Sequence, residues 1–139
     1  MSTIIREDEL RTFVNEGVII QNGSVDCAEG HKYDFRLGNR FLKAGFNSVQ
    51  TYDELKKRDA AIVEPGEVVF VLTCERVEIP IDVSVTLFDK RKMSHEGISL
   101  LGGSSIDPGY RGYLVFGIHN IAGKVFHLKP GRKLIGATF

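Results

Sequence analysis

Ser104-Ser105-Ile106-Asp107-Pro108-Gly109-Tyr110-Arg111-Gly112-Tyr113 is the stretch on which the fold turns. Asp, Pro and Gly stand together between Ile106 and an apolar run that begins at Tyr113, the composition of a tight reversal in an extended chain. It reads as a hairpin whose tip offers a carboxylate, an aromatic face and backbone groups within a few residues. That combination suits a nucleoside: the ring packs against a sugar, the carboxylate accepts a hydrogen bond from a hydroxyl or a water, and free backbone N–H and C=O groups read a pyrimidine edge. The same residues also make an ordinary β-turn with Asp first, Pro second and a solvent-exposed Tyr. The residues alone leave both readings open.

Outward from this stretch the chain is a series of short strand candidates, Val68–Thr73, Val83–Phe88, Ile98–Leu101, Tyr113–His119, Val125–Leu128 and Lys133–Phe139. Turn-forming pieces separate them, among them Glu64-Pro65-Gly66, Asp107-Pro108-Gly109 and Lys129-Pro130-Gly131. This spacing predicts an antiparallel sandwich or barrel and leaves no room for the long helices of parallel crossovers. Upstream, Leu10, Phe13 and Val14 share one face of a predicted helix over Glu7–Glu16, with Gly17 placed for a left-handed cap. Tyr33–Leu37 reads as an extended piece closed by a turn at Leu37-Gly38-Asn39. Tyr52–Arg58 reads as one or two helical turns or as an ordered loop.

The 139 residues, 42% of them hydrophobic, suffice for one packed domain spanning 1–139. Eighteen basic residues balance eighteen acidic ones, so no global field draws DNA, RNA or an anionic membrane, and any polyanion site has to be local. Met1–Arg11 lacks the unbroken apolar stretch of a signal peptide and no run is long enough to span a bilayer, which predicts a soluble, cytoplasmic protein. Cys27 and Cys74 form neither a disulfide framework nor a CxxC pair. Cys74 reads as a buried core residue, and Cys27 with His31 leaves a zinc site as an alternative.

The run I-D-P-G-Y-R-G at Ile106–Gly112 closely resembles the third motif of dUTPases and the corresponding hairpin of dCTP deaminases. Tyr33-Asp34-Phe35-Arg36-Leu37-Gly38-Asn39 is similar to the deaminases' D-x-R-L-G segment. Val63–Gly66 resembles their turn before a strand, Glu78-Ile79-Pro80 the strand before the second motif, and Leu128–Gly136 the fourth motif. Order and spacing agree throughout. The resemblance implies a mainly β, dUTPase-like distorted barrel (β-clip) of antiparallel strands with a short N-terminal helix, assembled as a homotrimer with active sites at subunit boundaries. It further implies that Asp107 is catalytic, orienting water toward the α-phosphate, and that Tyr110 packs under the deoxyribose. Magnesium would enter through the triphosphate, with no protein metal ligand.

Departures from the family pattern keep two functions open. Its R-S-S stretch is replaced by Lys90-Arg91-Lys92-Met93-Ser94, a basic loop that either holds phosphate together with Arg111 and Lys133 or is a solvated turn. The glutamate with which deaminases shuttle protons corresponds to Gly117, so deamination is not expected; His119, two residues on, faces the same side of a strand. The fourth-motif glutamine falls near Ala137, and no Gly-rich fifth motif precedes Phe139. One expectation is therefore a dUTPase-like diphosphatase acting on a small deoxynucleotide, without nucleic acid or membrane partners. The other is a catalytically silent trimer that binds a nucleotide or a protein, or serves a structural role.

Overall fold

A computed structural model describes residues 3–43 and 48–139, so the first two residues of the Met1–Arg11 stretch lie outside it. The described elements follow in chain order. Helix α1 (Glu7–Glu16) leads to β1 (Ile20–Gln21), a 3-10 turn at Val25–Cys27, β2 (Ala28–Glu29), β3 (Lys32–Lys43) and β4 (Gln50–Thr51). Then come α2 (Tyr52–Lys57), β5 (Ile62–Val63), β6 (Val68–Glu78), β7 (Val85–Asp89), α3 (Arg91–His95) and β8 (Ile98–Leu101). The chain finishes with β9 (Ser105–Ile106), β10 (Arg111–Asn120), β11 (Phe126–His127) and β12 (Lys133–Thr138).

All pairings are antiparallel, and the main sheet runs β8-β10-β6-β3-β12-β7-β9, with β1 on β6 and with β2 and β4 on β3. Strand β3 curls this sheet into a half-barrel. Its first residues, Tyr33–Arg36, pair with β12, whereas Leu37–Lys43 pair with β6. The hand-over occurs at Gly38, where an added Cβ would stand 2.7 Å from the Leu72 carbonyl oxygen. Only glycine allows backbones to approach so closely. The expected distorted antiparallel barrel with an N-terminal helix is what the chain forms.

Strand β6 alternates, with Val69, Val71, Thr73, Glu75 and Val77 facing the core. Glu75 is fully buried, which would be costly were its oxygens not filled. The Tyr33 hydroxyl donates at 2.8 Å, the Arg36 backbone N–H at 3.0 Å and the Arg36 Nε at 2.9 Å. Burial first, and then the charge of Glu75, push the Tyr33 phenol far above its usual value. Around this network pack Phe35, Phe41, Phe116, Ile118 and Leu134, with Leu10 of α1 and Leu55 of α2 covering them.

Several elements differ from their sequence-based prediction. Leu37-Gly38-Asn39 is no turn, because β3 runs straight through it as a bulge. Strand β6 continues to Glu78, five residues past Thr73, since Glu75 finds partners inside. The basic stretch after Asp89 is a helical turn rather than a loop, pinned by buried Met93. Cys27 is the buried cysteine, its thiol pushed up by burial, whereas Cys74 is half-buried and its thiol donates to the Leu37 carbonyl. By contrast α1 and β8 occupy their predicted residues, and α2 is closed by a capping box between Thr51 and Glu54.

Removing one member of a buried pair costs about 3–5 kcal/mol, so Glu75→Gln should lower the unfolding free energy read from urea titration by an amount of that order. Because Tyr33 ionises above its unfolded value of 10.0, its contribution to stability is complete below that pH and is lost as the pH rises beyond it. Ultraviolet titration of the folded protein should therefore give the same phenolate amplitude for wild type and Tyr33→Phe.

Candidate functional site

The Asp107–Tyr110 reversal is a β-turn in which the Tyr110 N–H donates to the Asp107 carbonyl at 3.1 Å, with Pro108 second and Gly109 third at φ 84°. A positive φ at the third position, after proline, is the type II pattern. Strand β9 leads into it from β7 and β10 leaves it toward β6 and β8, so the two arms pair with different strands rather than with each other. The expected hairpin is thus a corner between strands. It is docked on Ile79, whose carbonyl accepts from Gly109 N–H at 2.9 Å and whose N–H donates to the Tyr110 carbonyl at 2.8 Å. These two backbone groups are therefore not free to read a base, contrary to the sequence-based expectation.

Asp107 is exposed, and its carboxylate has no intramolecular partner among the described residues. The Tyr110 hydroxyl donates back to the Tyr113 carbonyl, drawing the ring over Gly112 while leaving the residue partly open to solvent. Asp107 and Tyr110 share a cleft of about 270 Å³ with Leu87, Ser105, Ile106 and Val115.

The expected phosphate ligands lie elsewhere. Lys90 reaches across β12 to Asp34 on β3 at 2.8 Å, and Lys133 approaches the same carboxylate oxygen at 3.9 Å. Gly136 leaves space for that crossing, since a Cβ there would touch Asp34 Oδ1 at 3.4 Å. Arg91, Lys92 and Ser94 are exposed on α3. Arg111 stands opposite Glu78, whose carboxyl is held below the usual range first by the Arg76 hydrogen bond and also by the charges of Arg76 and Arg111. Asp107 adjoins the Val85 end of β7 and Lys90 follows its Asp89 end. Five residues of strand place them about 16 Å apart. The turn thus lies apart from Lys90 and Lys133, whereas Arg111 follows it directly at the start of β10.

On β10, Tyr113, Val115, Gly117 and His119 share the outer face, opposite core-facing Leu114, Phe116 and Ile118. Gly117 sits in register between Leu101 and Phe70, and Phe70 pairs in turn with Leu42. A Cβ on Gly117 would meet the Leu101 Cβ at 3.1 Å and Phe70 Cε1 at 3.3 Å. Leu42, Phe70, Leu101 and Val115 are all exposed, so this face is apolar.

A family model described as dCTP deaminase-like matches residues 4–139. The chain belongs to that family. Among curated relatives, a dCTP deaminase of Pyrococcus horikoshii is 26% identical over 127 residues, covering 91% of this chain and 77% of that protein. A dUMP-forming dCTP deaminase of Methanosphaera stadtmanae is 24% identical and covers 98% of this chain and 78% of its own length. The crystal structure of a dCTP deaminase from Agrobacterium tumefaciens superposes with a TM-score of 0.76 at 18% identity, over 97% of this chain. The chain spans 46% of that longer protein, about half, and the likeness establishes the fold.

Gly117, which the sequence resemblance matched to the deaminase glutamate, has apolar neighbours, and Ala137, near the residue matched to the fourth-motif glutamine, is fully buried between Tyr33 and Leu87. Among the described residues no group of three or more His, Cys, Asp or Glu is placed to hold a metal. No described helix is long and apolar enough to cross a membrane. Sequence reasoning missed Asp34 as the partner of Lys90 and Lys133, because the pairing spans separate strands and no local pattern signals it.

Gly109→Ala forces an L-residue into left-handed space, at a cost of about 1–2 kcal/mol. The expected result is a correspondingly lower melting temperature and weaker nucleotide binding, read by thermal shift with and without dUTP.

Proposed function

We propose that the chain is a dUTPase-like diphosphatase that converts a deoxynucleoside triphosphate to the monophosphate and pyrophosphate. The observation that carries this reading is the contrast between two positions. Asp107 keeps a free, exposed carboxylate beside a nucleoside-sized cleft, whereas the proton-shuttling position is Gly117, walled by Phe70 and Leu101. Ring deamination needs a positioned acid–base group; phosphate-ester hydrolysis at the other end of the nucleotide does not need that one. Two relatives bear the name dCTP deaminase, dUMP-forming. Making dUMP from dCTP removes two phosphates as well as ammonia, so hydrolysis of this kind is chemically compatible with the family fold.

In this mechanism Tyr110 stacks beneath the deoxyribose, and Asp107 accepts a proton from a water aligned on the α-phosphorus. A new P–O bond forms from that water, the bond to the bridging oxygen breaks, and pyrophosphate leaves. Magnesium would arrive with the triphosphate, and when bound it would neutralise charge on the phosphate oxygens. Lys90, Arg91, Lys92, Ser94, Arg111 and Lys133 are the candidate phosphate ligands. The separation of Lys90 and Lys133 from Asp107 along β7 favours a homotrimer in which one copy supplies the turn with its adjacent Arg111 and a neighbour those lysines. Action on free deoxynucleotides is consistent with a cytoplasmic setting.

A second reading is favoured by two contacts: Lys90 is engaged by Asp34, and the Tyr110 hydroxyl by the Tyr113 carbonyl. A site tied up in this way suits a silent nucleotide-binding module. The two readings separate on purified protein given each deoxynucleoside triphosphate with magnesium. Diphosphatase activity should release pyrophosphate, fall by about a hundredfold or more in Asp107→Asn, and leave the cytosine absorbance of dCTP unchanged. A nucleotide-induced rise in melting temperature without pyrophosphate, weakened by Tyr110→Ala, would establish the silent module instead.

A further inference from the structure

A second cleft, of about 370 Å³, opens between the end of α3 and the β10–β11–β12 turns and shares no residue with the Asp107 cleft. Lys124, His127, Lys129 and Arg132 surround it, Val125 and Phe126 form its floor, and Glu96 is its single acid. Three permanent cations against one carboxylate make a local excess on a chain whose formal net charge is zero. Such a concentration matches the charge of a phosphate group and is too small for a nucleic-acid chain, which needs many phosphate contacts.

The cations are held on fixed backbone rather than on loose loops. Buried Asn120 donates to the Lys124 carbonyl at 2.8 Å and to the Val63 carbonyl at 2.9 Å, and accepts from Ala122 N–H at 3.0 Å. The Lys129–Arg132 turn is clamped to β3, with Gly131 N–H donating to the Leu37 carbonyl at 2.6 Å and Leu37 N–H to the Arg132 carbonyl at 2.7 Å. Arg132 lies over the Phe126 ring, 5.1 Å from its centroid, and pairs with Glu96, so its guanidinium is already oriented. Its planar fork is suited to phosphate, and the two exposed lysines can close on the same anion.

We propose that this cleft binds the phosphate group of a small phosphorylated ligand, independently of the Asp107 turn. Its apolar floor offers a place for the body of such a ligand, and its volume lies within the range of small-molecule sites. Glu96 competes with the ligand for Arg132 and so sets the affinity.

The test is calorimetric titration of the full chain at low ionic strength with three probes: inorganic phosphate, pyrophosphate and dUMP. Saturable binding of phosphate or pyrophosphate is expected, weakened about tenfold or more in the double variant Lys124→Met, Lys129→Met. Glu96→Gln should tighten that binding about threefold, because it removes the carboxylate that competes for Arg132. Since dUMP also fits the Asp107 cleft, only the part of its binding that the double lysine change weakens counts for this site. In that part, equal affinity for phosphate and dUMP would identify the anion alone as the ligand, and preference for dUMP would bring in the floor; both support the site. Both lysines are exposed, and circular dichroism checks that the variants stay folded. The proposal is overturned if none of the probes saturates, or if binding survives the double lysine change in the folded protein.

Discussion

A single buried carboxylate holds the barrel's corner. Glu75 accepts from the Tyr33 hydroxyl and from two nitrogens of Arg36, and so fastens β6 to the part of β3 that is still paired with β12. Thr73, its neighbour on the same face, accepts from Leu114 N–H and brings β10 into the same polar seam. Hydrophobic packing excludes a slip by one residue but tolerates a slip by two, whereas a carboxylate with three directional donors accepts one alignment of the strands. The position of the Asp107 turn follows from that alignment, because β10 runs from the turn along β6, and Ile79, just past the end of β6, docks it.

What could be read from the sequence followed the strength of local signals. Helix α1 has one apolar face and a glycine cap, and β8 is a short apolar run between turn residues, so both were evident. The Asp-Pro-Gly turn was equally plain, but its pairing was not: β9 joins β7, a partner twenty residues away that no local pattern names. Gly38 looked like a turn because glycine marks turns and bulges alike, and only the Leu72 carbonyl beside it distinguishes them. Glu75 and Arg76 looked like the end of a strand, since burial of a charge depends on donors forty residues upstream. Helix α3 was hidden by its charges, Met93 being its only anchor.

The candidate site shows the same division. Asp107 and Tyr110 were legible because one turn carries both. The cations were legible as a group but not in their destinations: Lys90 and Lys133 converge on Asp34, Arg111 faces Glu78, and Arg132 crosses Phe126 to Glu96. Each of these cations meets a carboxylate across strands or turns, and such pairings appear only once the sheet is assembled. Strand β7 keeps the first two of these cations away from the turn, so chemistry requiring both ends needs more than one surface of the molecule.

Gly117 also sets the terms for redesigning this face. Phe70 and Leu101 flank it across two strands, at 3.3 Å and 3.1 Å from where a Cβ would stand. Both are exposed side chains, so a residue placed at 117 fits only as they move aside. A carboxylate cannot simply be grafted onto this strand: trimming Phe70 or Leu101 belongs in the same design step.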